Sequence, residues 1–241
     1  MNREIGDRVP VKWKDCLIAF FIYLSIGPIV GGVFGKSASD IVWRGWINAL
    51  TLLISAIVLA GFALYLTKSR HMSFFFSQKN SRWRELRGHL GYGILVGLMV
   101  YPIVISFNFF AQYVVQLFTD RIPIDQEAVR YIRDLIPYPF LHSVTVGLIV
   151  VIVPWIEEFL FRGLLQNAFK NTFGTAWGIV FASVFFAVFH LHPAQGWGNI
   201  NIVVAIFILS IALGSVYERR RSLIGCMALH GTFNALTLLL I

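Results

Sequence analysis

The stretch from Asn171 to Tyr217, NTFGTAWGIVFASVFFAVFHLHPAQGWGNINIVVAIFILSIALGSVY, contains no Asp, Glu, Lys or Arg. A helix crossing the hydrocarbon layer needs about 20 apolar residues, so this stretch has room for two spans and the turn between them. Five further charge-free runs supply one span each: Cys16–Gly35, Gly45–Thr67, Gly88–Thr119, Leu135–Ile156 and Ser222–Ile241. The prediction is an all-α polytopic membrane bundle of about seven transmembrane helices. Bulk composition points the same way. Apolar residues make up 57% of the 241 and charged residues 13%, against about 25% charged in soluble domains.

A net charge of +8 could suggest a polyanionic partner, but the placement of the charges explains it otherwise. With the N-terminus cytoplasmic, the tail, Lys68–Arg87, Glu157–Lys170 and Glu218–Arg221 hold 15 of the 20 Lys and Arg. The outer segments Lys36–Arg44 and Asp120–Asp134 hold 5. This is the positive-inside asymmetry of membrane proteins, and no nucleic-acid partner is expected. The two cysteines, Cys16 and Cys226, sit in apolar runs and read as small buried hydrophobes. Ser37-Ala38-Ser39 resembles a signal-peptide cleavage site, but the preceding apolar run exceeds a signal peptide's 7–15 residues. A retained first helix is expected.

The chain divides into residues 1–134, membrane helices plus an interfacial helix, and residues 135–241, the core helices of the same membrane domain. The basic and aromatic loop Lys68–Arg87 reads as interfacial, with Trp83 at headgroup depth. The third run is long enough to require tilt, or a kink at Pro102. In Asp120–Pro137, Asp125 is the expected N-cap, and Ala128, Val129, Ile132, Leu135 and Ile136 recur at helical spacing. A short amphipathic helix on the outer interface is predicted, read as a passive connector with gating of lateral access as the alternative.

The polar chemistry begins in VPWIEEFLFRGLLQNAFK, Val153 to Lys170. A charge at mid-membrane costs about 2.5–3.5 kcal/mol, so Glu157, Glu158 and Arg162 together cost about 8–10 kcal/mol before pairing. A helix ending at Ile156 would avoid that cost. Depth argues against such an ending. The next turn signal is Lys170 to Gly174. Glu157 lies 13 residues before Lys170 and His190 lies 16 after Gly174. At 1.5 Å per residue both are about 20–24 Å from that turn. His230 and Asn234 lie about 14 and 20 Å beyond Arg221, which is on the same side. Three helices thus bring Glu157, His190, His230 and Asn234 to similar depth.

Spacing assigns roles. Glu158 and Arg162 are i and i+4 and share a face, while Glu157 is rotated by about 100° from Glu158. Pro154 should free a backbone carbonyl one turn above. Phe186 precedes His190 by four residues and forms an aromatic wall beside it. A carboxylate and an imidazole converging on water make a hydrolytic centre, and a His/Asn pair supplies donors for an oxyanion. No Ser or Cys stands beside a base. His71, His89 and His142 read as interfacial or ordinary, His192 as a loop residue before Pro193, Trp197 as an interface anchor, and Glu218–Arg221 as a topogenic cluster.

The ordered motifs EEFLFR (Glu157 to Arg162), FAVFH (Phe186 to His190) and HGTFN (His230 to Asn234) resemble the CPBP family. These are the type II CAAX prenyl proteases and their bacteriocin-processing relatives, also called the Abi family. The family pattern, EExxxR, FxxxH and HxxxN or HxxxD, is matched in each element over about the last hundred residues. The resemblance implies an intramembrane endopeptidase of the plasma membrane, bacterial by expectation, acting on a membrane-associated peptide or protein in the lipid bilayer. By motif position, Glu157 and His190 would activate water, His230 and Asn234 would hold the oxyanion, and Glu158, Arg162 and Phe186 would support them. Zinc on Glu157, His190 and His230 is the alternative chemistry. The absence of an HExxH pair and the weak ligand character of Asn234 favour a metal-free, cofactor-free site. Rival classes are a proton-coupled transporter and a non-catalytic immunity or scaffold protein on the same fold.

Overall fold

The computed structural model describes residues 10–34, 40–70, 82–119 and 126–240. Asp125, Ser37 to Ser39 and His71 lie outside them. Eight helices are described: α1 (Trp13–Phe34), α2 (Ile41–Arg70), α3 (Arg82–Thr119), α4 (Glu127–Asp134), α5 (Pro139–Phe173), α6 (Thr175–Val188), α7 (Gly198–Arg220) and α8 (Leu223–Leu239). A single 3₁₀ turn, Pro193–Gln195, lies between α6 and α7. The protein is a polytopic helical bundle. Helices α1, α2, α3, α5 and α7 are long and apolar enough to cross a membrane. The other two apolar helices, α6 and α8, have 14 and 17 residues, below the length expected for independent spans.

Local chemistry sets the element ends. Pro139 occupies the first turn of α5, where its missing N–H costs nothing. That helix runs unbroken through Glu157, Glu158 and Arg162 and stops at Gly174, whose φ of 85° suits glycine. Ser222 caps α8, its Oγ accepting from the Ile224 N–H at 3.3 Å. Beside it, Arg221 closes α7 in the left-handed conformation (φ 50°).

Helix α8 is embedded. It packs along α3 and also against α7 and α5. A Cβ at Gly93 of α3 would collide with the Gly225 carbonyl of α8, so only glycine allows this backbone approach. The shared core comprises Ile156, Phe159, Leu160 and Leu164 of α5, Leu209 and Leu213 of α7, and Leu229 of α8. Helices α1 and α2 flank α5 from outside.

The ends of α5 and α7 away from the histidines are tied by charge. Lys170 Nζ lies 2.8 Å from Glu218 Oε2, and Arg221 Nη2 lies 3.2 Å from the same oxygen. Gln166 Nε2 donates to Glu218 Oε1 at 3.1 Å, and Asn167 Nδ2 to the Tyr217 hydroxyl at 2.7 Å. Glu218 is therefore more than a member of a charged cluster at the membrane boundary: it compensates Lys170, which is itself buried.

Candidate active site

Helix α5 is not uniformly α-helical. Leu148–Ile152 and Phe159–Gln166 are π-helical, on either side of an α-helical turn, Val153–Glu158. A π segment pairs each N–H with the carbonyl five residues back, and such segments recur at functional sites. Pro154 has no N–H to give, so the Ile149 carbonyl, five residues earlier, is left for another donor. Asn234 Nδ2 of α8 takes it at 3.0 Å. The carbonyl that Pro154 was expected to free is thus the contact that docks Asn234. In the second π segment, Asn167 Nδ2 serves the Arg162 and Gly163 carbonyls, both at 3.0 Å.

The adjacent glutamates face different partners. Glu158 is fully buried and lies 3.1 Å from Arg162 Nη1. Its Oε1 is also 2.8 Å from His230 Nδ1. Arg162 Nη2 donates to Ser210 Oγ at 2.7 Å, and its guanidinium sits over the Phe186 ring at 4.4 Å. Glu157 points to the cavity. Its Oε1 is 4.0 Å from His190 Nε2, and its Oε2 is 3.7 Å from His230 Nε2. Oε2 is buried without a hydrogen-bond partner, an arrangement expected where a water or substrate group belongs.

The second ring nitrogen of each histidine fixes what the first can do. His190 Nδ1 lies 2.7 Å from the Phe186 carbonyl. A carbonyl only accepts, so Nδ1 carries the hydrogen, and the neutral ring offers a bare Nε2 toward Glu157. His230 is oriented by the Glu158 carboxylate, whose Oε1 lies 2.8 Å from its Nδ1. Phe186 lies against His190 with the rings tilted at 4.8 Å and meets His230 edge-on at 5.9 Å. Helix α6 ends at Val188, so His190 stands just beyond its last turn. A clasp holds that segment: Gln195 Nε2 donates to Asn199 Oδ1 at 2.7 Å and to the His190 carbonyl at 3.4 Å. Asn199 Nδ2 donates to the His192 carbonyl at 2.9 Å. His192 itself is exposed and caps the 3₁₀ turn.

Glu157, His190, His230 and Asn234 line one cavity of about 240 Å³. Ala128, Val129 and Ile132 of α4 line it too. The segment read from sequence as a connector therefore forms a wall of the site. Also unforeseen were the Glu158–His230 contact, Ser210 and the Gln195/Asn199 clasp. Ser210 alone left a signal, as a hydroxyl inside an apolar run. Among the described residues, no group of three or more His, Cys, Asp or Glu side chains is arranged to hold a metal ion. Glu157 lies 4.0 Å from His190 and 3.7 Å from His230, and the zinc alternative on these three residues is decided by the chelation test below.

The chain is thus an integral membrane bundle that brings carboxylates and imidazoles together around a cavity in its own core. Residues 139–236 match the model of the family described as type II CAAX prenyl endopeptidase Rce1-like. This segment is similar to that family and carries the three motifs read from the sequence. No curated protein and no solved structure matches the chain.

Proposed function

We propose that the protein is an intramembrane endopeptidase that hydrolyses a peptide bond of a membrane-associated polypeptide. The observation that carries this reading is the Glu157 carboxylate on the cavity lining, with Oε1 4.0 Å from His190 Nε2 and Oε2 buried without a hydrogen-bond partner. Two acceptors at that separation fit one water, donating a hydrogen to each and turning its lone pair toward a substrate carbonyl. Glu157 takes the proton as the oxygen attacks the carbonyl carbon. His230 and Asn234 donate to the tetrahedral oxyanion. Glu157 then returns the proton to the departing amide nitrogen as the C–N bond breaks. Glu158 hydrogen-bonds His230 Nδ1, so a donor at Nε2 requires a second ring proton.

The family description names CAAX prenyl endopeptidases, which makes a prenylated CAAX terminus the first substrate class to test and leader peptides the second. The surplus of Lys and Arg in the tail and the Lys68–Arg87 loop supports a cytoplasmic N-terminus.

The test is hydrolysis of a farnesylated CAAX peptide by protein purified in detergent. Glu157→Ala should lower kcat/KM at least about 100-fold with an unchanged melting midpoint, and chelator-treated protein should keep full activity. An active Glu157→Ala variant would overturn the assignment. Loss of activity on chelation that zinc restores would replace the metal-free scheme.

A further inference from the structure

A second chamber of about 310 Å³ adjoins the catalytic cavity. Gln126, Val129, Phe233 and Thr237 line both, so the two spaces share a wall and have α4 as a common cover. Most of the chamber is apolar, built from α3, α7 and α8. One side carries three carboxamides, Asn108 and Gln112 of α3 and Asn201 of α7. Asn201 Nδ2 donates to Asn108 Oδ1 at 2.8 Å, and Gln112 Nε2 reaches the same oxygen at 3.3 Å. Asn201 is 98% buried (2% relative exposure), yet its Oδ1 has no hydrogen-bond partner. A buried acceptor left unpaired is costly, and one at the wall of a cavity is explained by a donor that arrives from outside the chain.

From this we infer that the chamber is a substrate subsite in which the carboxamides of Asn201, Asn108 and Gln112 pair with main-chain amides of the bound polypeptide beside its scissile bond. The chemistry of the cluster selects that ligand. The three side chains are uncharged and combine donors with acceptors, as a peptide group does. Arg133 of α4 also lines the chamber, so an anionic end of the polypeptide is accommodated beside its amides, whereas a hydrocarbon chain alone would leave Asn201 Oδ1 unpaired. The apolar remainder of the chamber accommodates the side chains of the segment. The inference rests on the proposed endopeptidase function, since it supplies that reaction with a way to register its substrate by backbone rather than by side-chain identity.

The experiment is equilibrium binding of a fluorescently labelled farnesylated CAAX peptide to the full chain carrying Glu157→Ala, which removes turnover. Peptides N-methylated at single positions near the scissile bond form the second axis. One such methylation should weaken binding about tenfold, and Asn201→Leu should do the same. The combination should be no worse than either alone. Ile105→Trp, which fills the chamber from α3, should weaken binding as well, and it covers the case in which Asn201→Leu does not fold. Additive losses, or unchanged affinity in Ile105→Trp, would overturn the subsite and show that only water satisfies Asn201. If the coupled binding pattern appears but wild-type protein does not cleave the peptide, the subsite stands and the endopeptidase assignment fails.

Discussion

Helices α1 and α7 have nearly the same length and mean hydropathy, 22 residues at 2.2 and 23 residues at 2.3, yet they play opposite parts. In the apolar window of α1, 11% of residues are buried; in that of α7, 50% are. Helix α1 turns Leu17, Phe21, Leu24 and Ile29 outward. Helix α7 buries Asn201, Ser210 and Gly214 along with its leucines. In a bilayer, large apolar side chains gain little from leaving lipid, so the interior of a bundle is marked by small and polar residues. Hydropathy therefore identifies which segments are apolar helices, and the polar minority identifies which of them surround the site.

The sharpest way to break this comparison is to remove a polar anchor from the interior. Arg162→Leu leaves Glu158 as an uncompensated buried charge. Loss of one member of such a pair costs about 3–5 kcal/mol, and the variant should show both a strongly lowered melting midpoint in detergent and no activity. Retained stability would mean that Glu158 draws its compensation elsewhere. A smaller effect is expected of Ser210→Ala, which removes one charge-assisted hydrogen bond to Arg162. It should cost about 2 kcal/mol in thermal or denaturant unfolding, with residual activity. The smallest effect belongs to the outer face: Phe21→Ala on α1 should change stability by less than about 0.5 kcal/mol and leave peptide hydrolysis untouched. A Phe21 effect as large as that of Ser210 would mean that α1 has a protein neighbour where lipid is assumed.

Much of this architecture was legible in the sequence. Charge-free runs located the apolar helices, and counting residues from the Lys170–Gly174 turn was enough to bring Glu157 level with His190. Two classes of feature were not legible. The first is the π-helical character of α5, because the extra residue per turn is stabilised by tertiary donors. Asn234 and Asn167 supply those donors, and only Pro154 marks the position in the chain. The second is orientation. The spacing of Glu158 and Arg162 shows that they can pair, but it carries no sign of His230 Nδ1 against Glu158 or of Ser210 against Arg162. Helix α6 also stops earlier than its apolar run allows, since the His192–Pro193 step disfavours helical backbone. Its end is held instead by Gln195 and Asn199, side chains that looked like ordinary loop polarity.

The π-helical segment Phe159–Gln166 also bears on how this chain tolerates insertion and deletion. Its widened turns hold one more residue than an α-helix needs to cover the same span. Deleting any one residue between Glu158 and Asn167 could leave a helix with regular hydrogen bonding and almost unaltered composition. Everything on one side of the deletion would nevertheless turn by about 100° against the other. Lys170 and Asn167 could then stay registered with Glu218 and Tyr217, or Glu157 with His190, but not both. For this stretch of membrane helix, reading frame along the backbone is a stricter requirement than hydrophobicity.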